Sequence, residues 1–370
     1  MIHVAFVINS IHIGGPSYVI RSIIKNMDRR MFEISLITLF DSENTLEVIE
    51  ELKELGVNII EMHVKGRAEA LIKTQSKFNT IISSNSINVI HSHGFIPDIL
   101  SARCTVKDVK KISTIHNNLY TEYPEVYGNR KAKYLIPVHI HYLKRLNTCA
   151  CCSQFVYDSM SKAIPNATVV RNGIDKTVPK TLVKRSDIGV PDNAVLFIYV
   201  GQLRTRKNII WLIRQFKNYH RDNEYLLILG KGADKEECEK IQDSNIIHYG
   251  FSDNPYAFMK ISDVYISAAL AEGFSISVLE AMDNGLALFL SDIPAHLEAF
   301  KAAKGVSLGE CFKTNDVVDF EKKLDVLRKE LPGIDRDAIR RIKNKEMSAE
   351  KMTKRYEELY ASCKSVHRKG

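Results

Sequence analysis

Asp263-Val264-Tyr265-Ile266-Ser267, followed by Glu272-Gly273-Phe274-Ser275-Ile276-Ser277-Val278-Leu279-Glu280-Ala281-Met282, is the stretch whose reading decides the fold. An apolar, β-branched run gives way to a glycine-bearing turn and then to helix formers. Asn284-Gly285 closes that helix with a glycine suited to its C-terminal cap. Glu272 thus falls at the carboxyl end of a strand, and a helix opens near Phe274-Ser275. The first amides of a helix have no intrahelical acceptor and suit an anion. Glu280 stands about one and a half turns inside, roughly 8–9 Å along the axis. The same pattern also fits a plain solvated face, since Glu280 shares a polar stripe with Ser277 and Asn284. The remainder of the chain has to decide between the two.

Outward from this stretch, short apolar runs alternate with amphipathic segments. Strands are expected at Ile2–Ile8, Glu33–Leu39, Val57–Met62, Val89–His91, Lys111–Ile115, Thr148–Cys152 and Thr168–Val170, with helices such as Leu46–Leu55, Ala68–Ile82 and Gln154–Ala163 between them. After a polar passage at 172–191 the alternation restarts, with strands at Val195–Val200, Tyr225–Leu229, Ile246–Tyr249, Asp263–Ser267 and Ala287–Ser291. Such alternation implies parallel sheets with helices on both faces. The expected class is α/β, two doubly wound Rossmann-like domains facing across a cleft. Their expected bounds are 1–172 and 173–350, with a helix at 351–370 returning to the first domain.

The bulk properties exclude several classes. The 370 residues suffice for two cores, and no apolar stretch reaches membrane-span length. The start of the chain reads as a strand and not as a signal peptide, so a cytoplasmic setting is expected. Seven cysteines without zinc-ligand spacing imply neither a disulfide framework nor a structural metal. The net charge of +8 is uneven: Lys107, Lys110, Lys111, Arg130, Lys131, Lys133, Lys144 and Arg145 lie in the first half, the later ones flanking Tyr134-Leu135-Ile136-Pro137-Val138. A basic patch with apolar anchors suits an anionic membrane surface, bound peripherally. No recognition-helix or RNA-binding signature accompanies it, so no nucleic-acid partner is expected.

Ligands of open α/β sheets bind outside the carboxyl ends of the strands. Gly14-Gly15-Pro16-Ser17 follows the first strand and suits a phosphate at a helix start. In the second domain, Gly201-Gln202-Leu203-Arg204-Thr205-Arg206-Lys207-Asn208 places Arg204, Arg206 and Lys207 where they could clamp a diphosphate. His91, His93 and His116 end neighbouring strands, without the spacing of a metal site. Two carboxylates, bare amides and cations in these loops suit a nucleotide sugar. One acid would serve sugar hydroxyls, and the other the ribose diol.

With these residues in hand, the chain resembles the retaining glycosyltransferases of family 4, of GT-B fold, along nearly its whole length. The resemblance rests on Glu272 through Met282, the family's E-x7-E element. Gly14-Gly15, His91-Ser92-His93-Gly94, Thr114-Ile115-His116, Asn172-Gly173-Ile174-Asp175, Gly201–Lys207 and Ser291-Asp292-Ile293-Pro294 with Glu298 support it. It implies that Glu272, His116 and Lys207 are catalytic. Gly14, Gly15, Arg204, Arg206, Gly273, Phe274, Ser275, Ile276 and Glu280 would bind substrate. It further implies a UDP-sugar donor, a lipid-linked saccharide acceptor, no cofactor or metal, and work on bacterial surface polysaccharide at the inner face of the membrane. The chain departs from the family at Gln202, where an arginine is usual; Arg204 or Arg206 is the expected substitute. Two alternatives remain open: a nucleotide-sugar epimerase of the same build, and a non-catalytic nucleotide-sugar-binding partner of another transferase.

Overall fold

The fold comes from a computed structural model that describes residues 1–11, 15–41 and 46–362. Gly14, and residues 363–370 of the helix expected at 351–370, lie outside the described residues. The chain forms two compact units. Unit 1 is Met1–Gly173 with the segment beginning at Ala349, and unit 2 is Ile174–Ser348.

Unit 1 holds β1 (Ile2–Ile8), β2 (Phe32–Thr38), β3 (Asn58–Glu61), β4 (Val89–Ser92), β5 (Lys110–Ile115), β6 (Thr148–Cys151) and β7 (Ala167–Val169). They form one parallel sheet in the order β3-β2-β1-β4-β5-β6-β7. The central β1 is buried along its whole length, as its unbroken apolar sequence requires of a strand covered on both faces. Unit 2 holds β8 (Val195–Val200), β9 (Glu224–Leu229), β10 (Ile246–Gly250), β11 (Val264–Ser267), β12 (Ala287–Ser291) and β13 (Gly309–Phe312). Their order is β10-β9-β8-β11-β12-β13, again all parallel. Its core is aromatic, with Phe289, Phe312 and Phe320 in mutual edge or tilted contact at 4.8–5.2 Å between centroids.

In each sheet the strand order reverses beside the first strand, between β1 and β4 in unit 1 and between β8 and β11 in unit 2. At such a switch the connections leave in opposite directions and open a crevice at the carboxyl ends. Gly15 and His93 follow β1 and β4, while Lys207 and Glu272 follow β8 and β11. The topology therefore delivers the conspicuous loops to the two places where ligands can approach.

Two local expectations need correction. The helix expected over Ala68–Ile82 is two helices, Arg67–Ile72 and Gln75–Ser84. The buried Thr74 between them donates its hydroxyl to the carbonyl of Glu69 at 3.0 Å, drawing the backbone out of a continuous helix. The short β13 was not anticipated. Gly309 opens it at φ +118°, and a Cβ there would lie 2.2 Å from the Leu288 carbonyl oxygen, so this edge rests on a close backbone approach and not on apolar patterning.

The helix Ala349–Ala361 belongs to unit 1 and packs on β1 and on the helix Gly15–Asn26. Its Tyr360 hydroxyl meets His91 Nδ1 at 2.7 Å, and its Tyr356 hydroxyl meets the Thr114 hydroxyl at 2.7 Å. His91 Nε2 also bonds Thr114, at 2.7 Å, so both strand ends and the final helix share one buried network. Burial pushes the His91 pKa down to about 3, which keeps the ring neutral. His91 is therefore a structural residue. We predict that Tyr360→Phe, which strips a partner from this buried imidazole, destabilises unit 1 by about 1–3 kcal/mol. Urea denaturation followed by near-ultraviolet signals measures it, and an unchanged midpoint would show that the network carries no such weight.

Candidate active site

Glu272 lies in the turn after β11, with its side chain 8% exposed. Its carboxylate accepts a hydrogen bond from Lys207 Nζ and lies 3.5 Å from Arg206 Nη1. Arg206 also donates to the Ala271 carbonyl at 2.9 Å, and the Leu270 amide donates to the Arg206 carbonyl at 2.9 Å. The two loops are thus laced together by backbone and side chain. Behind them, the Leu203 amide donates to the Lys231 carbonyl and the Asp234 amide to the Leu203 carbonyl. A Cβ on Gly232 would fall 2.1 Å from that same Leu203 oxygen, so glycine is required where this loop backs the cationic turn.

Burial pushes the Glu272 pKa up, but the charges of Lys207 and Arg206 and the Lys207 hydrogen bond outweigh it, and the acid ends below its ordinary value. Glu280 sits in the opposite environment. It is buried on the helix Ile276–Asp283, accepts one bond from the Tyr256 hydroxyl at 2.9 Å, and has Asp283 as a repelling neighbour. Burial, opposed by Tyr256 and reinforced by Asp283, raises its pKa to about 7. Two glutamates of one segment are thus pushed in opposite directions, Glu272 below the ordinary carboxylate value and Glu280 above it. The helix between them begins at Ile276, and Ser275 offers no side-chain cap to its first amides. Gly273, Phe274, Ser275 and Ile276 form this turn, the first three of them buried.

The Gln202 side chain is exposed, and the Gln202 backbone carbonyl accepts a bond from the Tyr199 hydroxyl at 2.9 Å. Arg206 is the arginine brought beside Glu272, whereas the charge of Arg204 acts on the buried Tyr199.

In unit 1, Gly15 opens the helix Gly15–Asn26. His116 Nε2 and His93 Nδ1 are 2.9 Å apart, and the Cys152 thiol donates to the His116 carbonyl. Burial lowers the His116 pKa to about 4. Both histidines line a cavity of ≈ 450 Å³ whose wall is largely apolar and aromatic, with Phe95, Tyr123, Tyr127 and Leu135, and with Arg67 and Lys131 among its lining. Tyr123 donates to His139 at 2.6 Å, and His139 in turn meets Asp98 at 2.8 Å, which fixes that wall. Neither this relay nor the cavity was read from the sequence, because its members are scattered over three helices.

The basic cluster divides. Lys110 donates to the Leu359 carbonyl and Lys111 to the Cys104 carbonyl, both at 2.6 Å, so these two serve the interior of unit 1. Arg130, Lys131, Lys133, Lys144 and Arg145 are exposed on or just after the helix Asn129–Leu143. Tyr134, 77% exposed, and Val138, 42% exposed, stand among them. Among the described residues no helix is long and apolar enough to cross a membrane, and no three His, Cys, Asp or Glu side chains are grouped to hold a metal.

Two parallel-sheet Rossmann-like units, each with its polar loops at a topological switch point, define a GT-B protein. Comparison with known proteins agrees with that class. The model for Glycosyltransferase Family 4 matches residues 13–178, and that for Glycosyl transferases group 1 matches 182–345. The O-antigen biosynthesis glycosyltransferase WclY of Escherichia coli is 26% identical over 321 residues, 80% of this chain and 82% of that protein. A second relative matches over a shorter segment, 32% identical over 111 residues, 29% of this chain and 30% of that protein. It is the N-acetylgalactosamine-N,N'-diacetylbacillosaminyl-diphospho-undecaprenol 4-alpha-N-acetylgalactosaminyltransferase of Campylobacter jejuni. Among solved structures, Anabaena HepE in complex with UDP and glucose superposes with a TM-score of 0.78 at 15% identity, covering 98% of this chain and 100% of that one. The chain belongs to glycosyltransferase family 4 and is a glycosyltransferase.

The raised pKa of Glu280 has a consequence for stability. Its folded value, about 7, lies above its ordinary 4.5, so the protonated acid contributes stability that is fully present below about 4.5 and is lost as pH rises through about 7. We predict that Glu280→Gln flattens the pH dependence of unfolding between pH 5 and 8 by on the order of 3 kcal/mol. Denaturant titrations of both proteins at the two pH values test this, and parallel curves would contradict it.

Proposed function

We propose that this glycosyltransferase is a retaining enzyme. It moves a sugar from a nucleotide-sugar donor, a UDP-sugar in first instance, to a lipid-linked saccharide during assembly of a bacterial surface polysaccharide. The observation that carries this reading is the buried Glu272 carboxylate facing Lys207 and Arg206 at the unit 2 switch point, beside an uncapped helix start. A diphosphate competes for those two cations and for the amides at Ser275 and Ile276. Glu272 then accepts hydroxyls of the sugar, and Glu280, once ionised, accepts the ribose diol.

In this mechanism no protein nucleophile is required. The bond from the anomeric carbon to the diphosphate breaks, and the acceptor oxygen bonds to that carbon on the same face. The departing diphosphate oxygen takes the acceptor's proton. Lys207 and Arg206 stabilise the charge gathering on the leaving group, which is the largest contribution the chain makes. His116 is proposed as unit 1's contribution to catalysis, poised as a neutral imidazole. With two cations and a helix start in place, the reaction is proposed to proceed without a metal and to persist in a chelator.

The acceptor is assigned to unit 1. Its apolar cavity with Arg67 and Lys131 suits a saccharide joined through phosphate to a lipid, the kind of molecule named in the Campylobacter relative. The WclY relative supports the polysaccharide pathway, and HepE with UDP supports the choice of base. The exposed basic and apolar face around Tyr134 and Val138 is proposed to rest on the inner face of the cytoplasmic membrane.

Thermal-shift screening against UDP, GDP, ADP and their sugars tests the donor assignment, followed by donor turnover with the best of them. Lys207→Ala and Glu272→Gln are each expected to lower kcat by roughly 10²–10³. Turnover that yields an epimerised free sugar would favour the epimerase reading, and stabilisation without any turnover the non-catalytic one. For the membrane, flotation with anionic liposomes is expected to carry the wild type but not Tyr134→Ser combined with Lys133→Glu. Equal recovery on neutral vesicles would remove the surface assignment.

A further inference from the structure

His296 was passed over in the sequence, although it lies between Pro294 and Glu298. It occupies the first turn of the helix Pro294–Ala302, just beyond β12, and is 1% exposed. Its Nδ1 lies 3.0 Å from the Ser291 carbonyl oxygen and 3.2 Å from the Ser291 hydroxyl. That hydroxyl donates its proton elsewhere, to the Ala269 carbonyl at 2.7 Å, so it too faces the ring with lone pairs only. Nδ1 has two acceptors for neighbours and must carry the proton.

Burial lowers the His296 pKa to about 4, with Glu272 opposing and Lys207 adding to the shift, so the ring is neutral at physiological pH. A neutral ring protonated at Nδ1 leaves Nε2 as a bare acceptor. Nε2 is closed to solvent and has no hydrogen-bond partner among the described residues. A buried acceptor left unsatisfied is unfavourable and calls for an explanation. Its position supplies one. The ring feels the charges of both Glu272 and Lys207, and Ser291 ties it to Ala269, three residues before Glu272.

We infer that His296 Nε2 accepts a hydrogen bond from a hydroxyl or amide N–H of the transferred sugar, making His296 a specificity-determining residue that sorts donors by the sugar and not by the nucleotide. The inference rests on the reading of Glu272 and Lys207 as the donor-sugar site. The sugar gains access as the diphosphate draws Lys207 from Glu272. An acceptor locked into this tautomer rejects a sugar that lacks a donor at that position, because the nitrogen then stays unpaired.

Two substitutions separate this role from a structural one. His296→Asn keeps an N–H where Nδ1 stands, and so keeps the bond to Ser291, but offers nothing at Nε2. His296→Gln reaches the Nε2 position with an acceptor and gives up the Ser291 bond. Calorimetry is run with UDP, GDP and ADP against UDP-glucose, UDP-N-acetylglucosamine, GDP-mannose and ADP-glucose. His296→Asn is expected to bind the free nucleoside diphosphate within about twofold of wild type, and to lose about tenfold of the extra affinity that the attached sugar confers. His296→Gln is expected to recover most of that increment. A structural role predicts the reverse order, with Asn tolerated and Gln impaired for nucleotide and nucleotide sugar alike, and that result would overturn the inference. So would wild-type behaviour in both variants, while leaving the donor reading intact. Failure of the wild type to bind any of these compounds would sink the donor reading and this inference together.

Discussion

The arrangement depends on one buried ion cluster: Glu272 held between Lys207 and Arg206 at the carboxyl edge of the unit 2 sheet. An isolated carboxylate so deeply buried would take up a proton, because desolvation penalises its charge more than any other effect acting on it. Two cations from the neighbouring strand's loop reverse that outcome. Buried ion pairs rarely add net stability over apolar packing of the same shape, so stability alone is a weak reason to place one here. The proposed donor site, which would present both a cation to a leaving diphosphate and an acceptor to sugar hydroxyls, supplies a stronger one. The two loops are accordingly over-determined, with Arg206 bonded to the very backbone that carries Glu272.

Glu280 shows how much the surroundings decide. It is as buried as Glu272 and separated from it by a single short helix start, yet no cation among the described residues pairs with it. Tyr256 donates one hydrogen bond, and Asp283 adds a negative charge whose own partner is Lys343 at 2.9 Å. Lys343 Nζ also reaches the carbonyls of Ile174 and Asp175, where the chain enters unit 2. Asp283, the charge that disfavours ionised Glu280, is thus anchored through Lys343 to one of the two places where the chain passes between the units. The two acids shift in opposite directions because each answers to a different local balance.

Much of the fold was legible because buried parallel strands announce themselves as unbroken apolar runs. Ile2–Ile8, Val195–Val200 and Ala287–Ser291 needed no correction. What escaped was governed by single contacts. Thr74 splits a segment with good helical periodicity by bonding backward to Glu69, and β13 exists because glycine lets two backbones meet. The basic residues of the first half looked alike in sequence, but Lys110 and Lys111 turn inward to carbonyls while Lys133 and Lys144 face solvent. The loops that carry Lys207 and Glu272 were legible because their residue types are unusual at strand ends. His296 was not, since a histidine in a helix's first turn gives no sign of which nitrogen is protonated until its neighbours are known.

Under the proposed assignment, one frame can serve different sugars because diphosphate and sugar are met by different kinds of group. The cations proposed to meet a diphosphate follow β8, beside the place where the doubly wound sheet reverses its order, so topology constrains their positions. A sugar, by contrast, differs from its epimers only in the direction of a few O–H groups. Discrimination among them needs acceptors whose lone pairs are fixed in direction and shielded from water. Carboxylates at the rim of a site accept from many directions and distinguish poorly. A neutral imidazole whose far nitrogen is held protonated by a backbone carbonyl has one lone pair along one line, and no rotation of the ring restores an alternative without breaking the bond to Ser291. In unit 2 the cations and His296 thus answer to separate constraints. The strand order places the first, and a two-acceptor contact at the end of β12 orients the second, so under the proposed assignment the sugar preference would change at position 296 while the diphosphate site stays as it is.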